Sequence, residues 1–162
     1  QGNITGWLNE LAFVPVDYNP NAMEDEWSGD IGCGVKYFSQ DGVIKLAAKA
    51  GIPLDETLSP AEKLKAVQKL MEDGDGRAAK IYDSIGCYLG YALGYYAMFY
   101  DISHVLLLGR VTSGMGGNLL IEKAKLVLRE EFPELAVNVM MPDEKARRVG
   151  QSVAAASLPV IG

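Results

Sequence analysis

Histidine and cysteine are scarce in this sequence, and their scarcity excludes several kinds of site. His104 is the only histidine among 162 residues, so no cluster of histidines can bind a metal ion. Cys33 and Cys87 are the only cysteines and form no paired motif, so the sequence predicts neither a disulfide framework nor a cysteine-rich zinc site. Two isolated thiols are typical of the reducing cytoplasm, which is the location that we expect.

Excess positive charge is also lacking. The formal net charge is −6, so we expect no direct contact with nucleic acid. The first residues are neither basic nor strongly apolar, and we expect no signal peptide. Residues 84–100 carry no charge, but they contain five tyrosines and reach only the lower limit for a membrane span. We therefore interpret them as a buried helix and expect no membrane partner.

The hydrophobic pattern predicts one α/β domain over residues 1–162. Apolar runs predict strands at residues 13–16, 105–108 and 136–140, and the one at 105–108 is expected to be buried on both faces. Residues 18–30 are interpreted as a polar surface loop. Helical spacing indicates a first helix over residues 35–50, with an interruption near Asp41-Gly42, and a second that begins after Ser59. A third covers residues 77–100, a fourth follows the glycine-rich segment and ends at about residue 131, and a fifth begins after Asp143.

Two local signals are more specific. Ser59-Pro60-Ala61-Glu62 has a capping serine, a proline at the first helical position and a glutamate three residues after the serine, as a capping box requires. Gly86, Gly90 and Gly94 recur every fourth residue and lie on one helix face. Because each glycine costs about 1 kcal/mol in a helix, we expect a second helix or strand against this stripe; a ligand against the bare backbone is the alternative.

A glycine-rich loop, residues 109–117, lies between the apolar run at 105–108 and the next helix. It contains Gly109, Gly114, Gly116 and Gly117. The helix that follows directs its free N–H groups and positive dipole end at the loop, which favours an anion or a nucleotide. A tight strand-to-helix connection without a ligand is an equally good interpretation. The loop has neither the Lys-Ser/Thr ending of a Walker loop nor Gly-x-Gly-x-x-Gly spacing, so those two nucleotide motifs are not supported.

Several segments together resemble one family. The segment nearest the N-terminus resembles the Gly-x-x-Gly-Glu-x-Gly-His-x-Pro-Val signature of the ROK family (repressors, open reading frames and sugar kinases), and it reads Gly6-Trp7-Leu8-Asn9-Glu10-Leu11-Ala12-Phe13-Val14-Pro15-Val16. The glycine loop is similar to that family's Leu-Gly-Gly-Gly-Val-Ser adenosine-side loop, and its matching part reads Leu108-Gly109-Arg110-Val111-Thr112-Ser113. Residues 58–90 are similar to the family's paired helices, and residues 150–156 resemble its Gly-Ala-Ala ending.

The resemblance implies the actin-like (ribonuclease H-like) fold of hexokinases and Hsp70, in which two α/β lobes bind a sugar and ATP. It implies that this chain is most of a three-layer C-terminal lobe with a helical insertion. The N-terminal phosphate loop, the Asn-Asp pair that supplies the catalytic base, and the second phosphate loop are not in the sequence. Because sugar phosphorylation needs a base and a Mg-held triphosphate, we expect no kinase activity from this chain alone and assign no catalytic residue.

The resemblance also assigns binding residues. Glu10 stands where the family has its sugar-binding glutamate, and its neighbour Asn9, which replaces a glycine, is the other candidate for contact with a hexose or hexosamine. Gly109, Arg110, Thr112, Ser113 and Gly114 are the candidates for binding an adenine nucleotide, although Arg110 could equally be a solvated loop residue, and Thr112 and Ser113 could simply cap the next helix.

The same resemblance predicts that zinc is not bound. Phe13 replaces the histidine that binds zinc and sugar in the family, and only Cys33-Gly34 remains of the cysteine cluster. Lys36 falls near the position at which the family has its second sugar-contacting glutamate. The zinc site is therefore expected to be lost and the sugar pocket to be altered.

Two functional hypotheses follow. The parent protein is either a glucokinase-like enzyme that uses ATP and Mg²⁺, or a sugar-sensing transcriptional regulator or degenerate relative whose pocket does no chemistry. An interaction module without a small ligand is a weaker third interpretation. A small sheet should expose an unpaired edge, so we expect a homodimer through that edge or through the glycine-striped helix, or pairing with the missing N-terminal lobe.

Overall fold

The computed structural model describes residues 11–142, and its fold is mixed α/β. The order of elements is α1 (Gln40–Lys49), α2 (Pro60–Glu72), α3 (Gly76–Tyr96), β1 (His104–Leu106), α4 (Gly114–Glu131) and β2 (Asn138–Met140). Short 3-10 turns occupy Leu11–Phe13, Gly34–Lys36 and Arg110–Thr112. The structure is 54% helical with a small two-stranded parallel sheet, which confirms the α/β class at this level.

The predicted capping box begins α2. The side-chain oxygen of Ser59 accepts from the N–H of Glu62, and the N–H of Ser59 donates to Oε2 of Glu62 over 2.8 Å. Pro60 occupies the first turn, where a helix needs no N–H donor. Leu64 and Val67 are buried on the inner face of this helix, as their spacing predicts.

The glycine stripe of α3 packs against α4, which confirms that a second helix lies along it. A Cβ atom on Gly90 would lie 2.6 Å from Cβ of Val127, and one on Gly94 would lie 2.5 Å from Cζ of Phe132. The backbones of the two helices therefore approach closely only because these positions lack side chains. The glycine side of α3 is therefore covered by α4, and the expected homodimer through a sheet edge or through this helix stays a prediction.

The sheet is smaller and more exposed than the sequence predicts. His104 pairs with Asn138 and Leu106 with Met140 in parallel register. Val105 and Val139 point into the core, whereas Leu106 is 51% exposed, so the prediction that β1 is buried on both faces is wrong. Burial of the second face of an uncharged strand requires a further layer, and no described residue provides one. The alternation predicted for residues 136–140 is confirmed, since Val139 is buried between exposed Asn138 and Met140.

Several elements differ from their predicted bounds. β1 ends at Leu106 instead of residue 108, and β2 begins at Asn138 instead of residue 136. Residues 13–16 form no strand: Pro15 makes one antiparallel bridge to Cys33, and proline has no N–H with which to extend a ladder. α1 begins at Gln40 instead of residue 35. The side chain of Ser39 accepts from the N–H of Asp41 and caps the helix, and the preceding Gly34–Lys36 segment forms only a 3-10 turn. α3 ends at Tyr96 instead of residue 100. The helix predicted after Asp143 lies outside the described residues.

The core is one cluster shared by the four helices and the sheet. Its largest fully buried side chains are Tyr82, Tyr96, Leu64, Leu93, Val43 and Val67. Within residues 11–142, no helix has the length and apolar character needed to cross a membrane.

Candidate functional site

The residues of the predicted glycine loop lie at the carboxyl end of the sheet. Gly109 follows β1, whereas Gly114, Gly116 and Gly117 already belong to the first turn of α4. β1 and β2 are parallel, and the N–H of Leu107 continues their pairing by donating to the carbonyl of Met140. Both strands therefore end at the same edge, where the loop begins. In open α/β sheets, ligands bind in the crevice outside the carboxyl ends of the strands.

Two glycines give the loop its path and leave space above it. Gly109 has φ +117° and ψ 163°, a region that is essentially restricted to glycine, and Gly114 has φ +67°. A Cβ atom added to either residue would have no atom within 4 Å among the described residues. Gly109 and Gly114 are therefore required by backbone conformation, and a ligand can approach the backbone at both positions.

The other two glycines of the loop have a packing role. The position that a Cβ atom of Gly116 would occupy is 2.5 Å from Cε2 of Tyr82, and that of Gly117 overlaps the carbonyl of Thr112. Gly116 and Gly117 therefore let the first turn of α4 lie directly on α3 and on the preceding 3-10 turn.

Within residues 11–142, the N-cap residue of α4 contributes no side-chain cap. Ser113 is the N-cap residue, but its hydroxyl makes no capping hydrogen bond, and the first turn contains no acidic residue. The first N–H groups of an α-helix have no acceptor within the helix, and those of an 18-residue helix carry the positive end of its dipole. Backbone N–H groups, positive potential and exposed glycines thus come together at Gly114.

The predicted side-chain ligands occupy different environments. Arg110 is exposed beside the loop, and its carbonyl accepts a hydrogen bond of 3.2 Å from Nε2 of Gln68 on α2. Thr112 is buried, and its hydroxyl donates to the carbonyl of Gly109 over 2.7 Å. Thr112 therefore holds the loop in shape, which is a role the sequence did not reveal, whereas Ser113 and Arg110 lie nearer to the solvent.

The sugar-binding candidates Glu10 and Asn9 lie outside the described residues. The adjoining Phe13, which replaces the family's histidine, packs its ring 6.0 Å from the ring of Trp27. This position is therefore occupied by a hydrophobic pair.

Lys36 forms an ion-pair cluster that sequence analysis missed. Its ammonium group is buried and lies 2.7 Å from Oε2 of Glu26 and 2.9 Å from Oδ2 of Asp41. Burial alone would lower the pKa of Lys36, but its hydrogen bonds to Glu26 and Asp41 raise that pKa above the ordinary value of 10.5. The partners are ten and five residues away, a spacing that matches no helix or strand period.

The acidic loop around Lys36 is held by its own turns. Asp25 accepts a hydrogen bond of 2.8 Å from the N–H of Ser28, which lowers the pKa of the Asp25 carboxyl. The hydroxyl of Tyr37 donates to Asp17 and accepts from the N–H of Met23. Within the described part of the chain, no group of three or more His, Cys, Asp or Glu residues is arranged to hold a metal ion.

Replacement of Lys36 by methionine is expected to lower the free energy of unfolding at pH 7 by about 1–2 kcal/mol, because two charge-assisted hydrogen bonds are lost, although the exposed Glu26 can be rehydrated. The hydrogen bond from Lys36 lowers the pKa of Glu26 below 4.5 in the folded state. The stabilisation from Glu26 is therefore present above pH 4.5 and is lost as the pH falls through the folded-state value. Urea unfolding of K36M and wild type should show a difference that shrinks in acid.

Lys49→Met is the matched control, since Lys49 is an exposed residue of α1, the helix that supplies Asp41. A K36M protein as stable as K49M at pH 7 would contradict a structural role for the Lys36 cluster.

The sequence matches no protein-family model and no curated protein.

Proposed function

We propose that this chain is the C-terminal lobe of a ROK-type sugar kinase, in which the glycine loop forms one side of the nucleotide pocket. The intact parent would transfer a phosphoryl group from MgATP to a hexose or hexosamine in the cytoplasm. This chain would contribute Glu10 and Asn9 to the sugar pocket and would be inactive without the N-terminal lobe.

One observation carries the proposal. Gly109 and Gly114 combine glycine-requiring conformations with space that is open among the described residues, directly beside the N-terminus of α4, where the Ser113 hydroxyl makes no capping hydrogen bond. A strand-to-helix connection without a ligand would need the glycine conformations at Gly109 and Gly114. It would gain nothing from the open space above these glycines or from the N–H groups at the start of α4. A phosphate or ribose hydroxyl group is suited to this position, because N–H donors and the helix dipole stabilise negative charge there.

The residues of this lobe would bind and orient the nucleotide. The N–H groups at the start of α4 would hold it, and Thr112 would keep the loop in shape through Gly109. The exposed Arg110 would contact the nucleotide from the same loop. MgATP, when bound, supplies the transferable phosphoryl group; the base that accepts the sugar proton would come from the other lobe.

The sugar-sensing domain of a ROK transcriptional regulator, or a degenerate relative, is the second candidate. Two observations favour it: Phe13 packs on Trp27 where the family has a zinc- and sugar-binding histidine, and Lys36 is neutralised within a buried ion-pair cluster. Such a protein would bind sugar through Glu10 without needing a nucleotide.

Replacement of Gly114 by alanine is expected to weaken MgADP binding at least tenfold, because the new methyl group enters the open space where the nucleotide would lie. Gly51→Ala is a closely matched control: Gly51 also has φ +67° and open space around it, but it lies between α1 and α2. Both variants carry the same backbone strain, about 1–2 kcal/mol, so only loss of the site separates them. Isothermal titration calorimetry of the two variants and wild type measures the difference.

The same titrations with hexoses and N-acetylhexosamines separate the two candidates. MgADP binding that G114A loses and G51A retains supports the kinase lobe. Sugar binding without nucleotide binding supports the sensor, and equal nucleotide affinity of G114A and wild type contradicts the proposed nucleotide pocket.

A further inference from the structure

A buried hydroxyl group without a partner lies beside the start of α4. Tyr82 of α3 is fully buried, and its hydroxyl has no hydrogen-bond partner among the described residues. Such a group costs free energy, and phenylalanine would fill the same space without that cost. Burial also raises the pKa of Tyr82 to about 12, so the hydroxyl keeps its proton at pH 7 and can donate. A role for this hydroxyl as a donor would explain its presence.

The side chain of Tyr82 leans toward the N-terminus of α4. The contacts of the glycine stripe advance along α3 and α4 together, from Leu120 to Phe132, so the two helices run in the same direction. Helical side chains tilt toward the N-terminus of their own helix, and that of Tyr82 therefore tilts toward the N-terminus of α4 as well. The outer atoms of its ring, Cε1, Cζ and Cε2, lie within 2.7 Å of the position that a Cβ atom of Gly116 would occupy. The hydroxyl is thus directed at the first turn of α4 from its buried side.

The backbone at this turn also presents donors. The N–H groups of Gly114, Met115 and Gly116 have no acceptor within α4, and the helix dipole adds positive potential there. The first turn contains no acidic residue that could accept from them or from a ligand.

The carbonyl groups of the two exposed residues that precede this turn are already occupied. The carbonyl of Gly109 accepts from the N–H of Thr112 over 3.2 Å and from its hydroxyl over 2.7 Å. The carbonyl of Arg110 accepts from the N–H of Ser113 and from Nε2 of Gln68, each over 3.2 Å. Because a carbonyl oxygen has two lone pairs, neither group can readily accept a further hydrogen bond. A ligand at this position therefore meets free donors, but not the carbonyls of Gly109 and Arg110.

This imbalance distinguishes between the parts of a nucleotide. Phosphate oxygens only accept hydrogen bonds and carry negative charge, so N–H donors, a hydroxyl donor and a helix dipole all favour them. The ribose hydroxyls and the amino group of adenine also have hydrogens to donate, and they need acceptors that these residues do not offer. The arrangement is therefore suited to a phosphate group and poorly suited to adenosine.

We propose that the start of α4 binds a phosphate group, that of the nucleotide in the proposed function, and that the hydroxyl of Tyr82 donates to this phosphate from the buried side of the turn. Tyr82 is then a binding residue that selects phosphate. This assignment rests on the proposed function and makes it more specific, because the loop holds the nucleotide by its phosphate and not by its adenosine.

Isothermal titration calorimetry of the full chain with MgADP, adenosine and inorganic phosphate tests the proposal. Wild type should bind MgADP at least tenfold more tightly than adenosine. Tyr82→Phe removes only the hydroxyl and keeps the ring against Gly116, and it should weaken MgADP binding about tenfold, as expected for the loss of one charge-assisted hydrogen bond.

Tyr96→Phe is the matched control. Tyr96 is also a buried tyrosine of α3 whose hydroxyl has no partner among the described residues, but it lies roughly 20 Å further along the helix. Both variants should melt at or above the wild-type temperature, because each loses an unpartnered hydroxyl. Only Y82F should lose affinity for MgADP.

The outcomes separate this inference from the proposed function. Adenosine that binds as tightly as MgADP, or Y82F with the MgADP affinity of Y96F, overturns the role of Tyr82 and leaves the nucleotide pocket standing. A melting temperature of Y82F well below that of Y96F means that the hydroxyl already has a partner in the fold, which overturns it too. Inorganic phosphate that binds and is weakened by Y82F, without MgADP binding, supports the phosphate site and contradicts the nucleotide pocket. A chain that binds neither contradicts both.

Discussion

Replacement of Gly86 by alanine is expected to lower the free energy of unfolding by about 2–3 kcal/mol, although alanine is the better helix former. A Cβ atom at position 86 would overlap the carbonyl oxygen of Leu120 and lie 2.8 Å from Cβ of Lys123. The first obstacle is backbone, so it cannot be relieved by a rotamer change. α4 would have to move away from α3 along its length.

Gly76→Ala is the control within the same helix. Gly76 begins α3 and has open space around it, so alanine there should leave stability unchanged or raise it slightly. Urea unfolding measures both variants. A G86A protein as stable as G76A would show that α3 and α4 do not pack as closely as the structure has them.

This packing also connects the fold to the candidate site. α4 carries the glycine loop at its N-terminus, and Gly116 in its first turn lies on Tyr82 of α3. A shift of α4 would therefore move the N–H groups to which we assign nucleotide binding. We expect G86A to bind MgADP more weakly than G76A does, even where both variants are folded.

Replacement of Gly32 by alanine has the other large effect that we expect, about 3 kcal/mol or more. Gly32 has φ +74°, which costs an L-residue about 1–2 kcal/mol. In addition, its Cβ atom would overlap the carbonyl of Asp17, and relief of such an overlap costs a further 1–3 kcal/mol or so. The carbonyl of Gly32 accepts from the N–H groups of Val16 and Asp17, so these hydrogen bonds would be distorted as well.

Gly29→Ala isolates the overlap from the strain. Gly29 belongs to the same loop and has φ +75°, but a Cβ atom there meets nothing within 4 Å. In thermal and urea unfolding, the free energy of unfolding of G29A should be about 2 kcal/mol higher than that of G32A. Equal losses in the two variants would contradict the close contact between Gly32 and Asp17.

Local signals in the sequence predict the local structure of this chain well. The capping box at Ser59 and the glycine stripe of α3 each encode a geometric requirement in a few residues, and both are confirmed. The exposure of Leu106 could not be predicted, because burial of a strand's second face depends on other layers. The end of α3 at Tyr96 was also missed, since no glycine or proline follows to mark it.

The candidate site likewise has features that the sequence predicts and features that it does not. The glycine loop and the helix after it are visible as a pattern, and the structure places them at the carboxyl edge of the sheet. The burial of Thr112 and its hydrogen bond to Gly109 depend on the path of the backbone, which the sequence does not reveal. The Lys36 cluster joins a loop residue to a helix residue without any periodic spacing, and only the folded chain brings those residues together.

The most direct test of the central claim is a titration of the isotopically labelled chain with MgADP, followed by the backbone amide resonances of the glycine loop. We predict shifts concentrated at Gly109, Gly114, Gly116 and Gly117 and in the first turn of α4, with little change at Gly51 or Gly74, which have similar backbone conformations elsewhere. Resonances of the loop that do not move at millimolar MgADP, or shifts confined to other parts of the chain, would contradict its assignment as a nucleotide pocket.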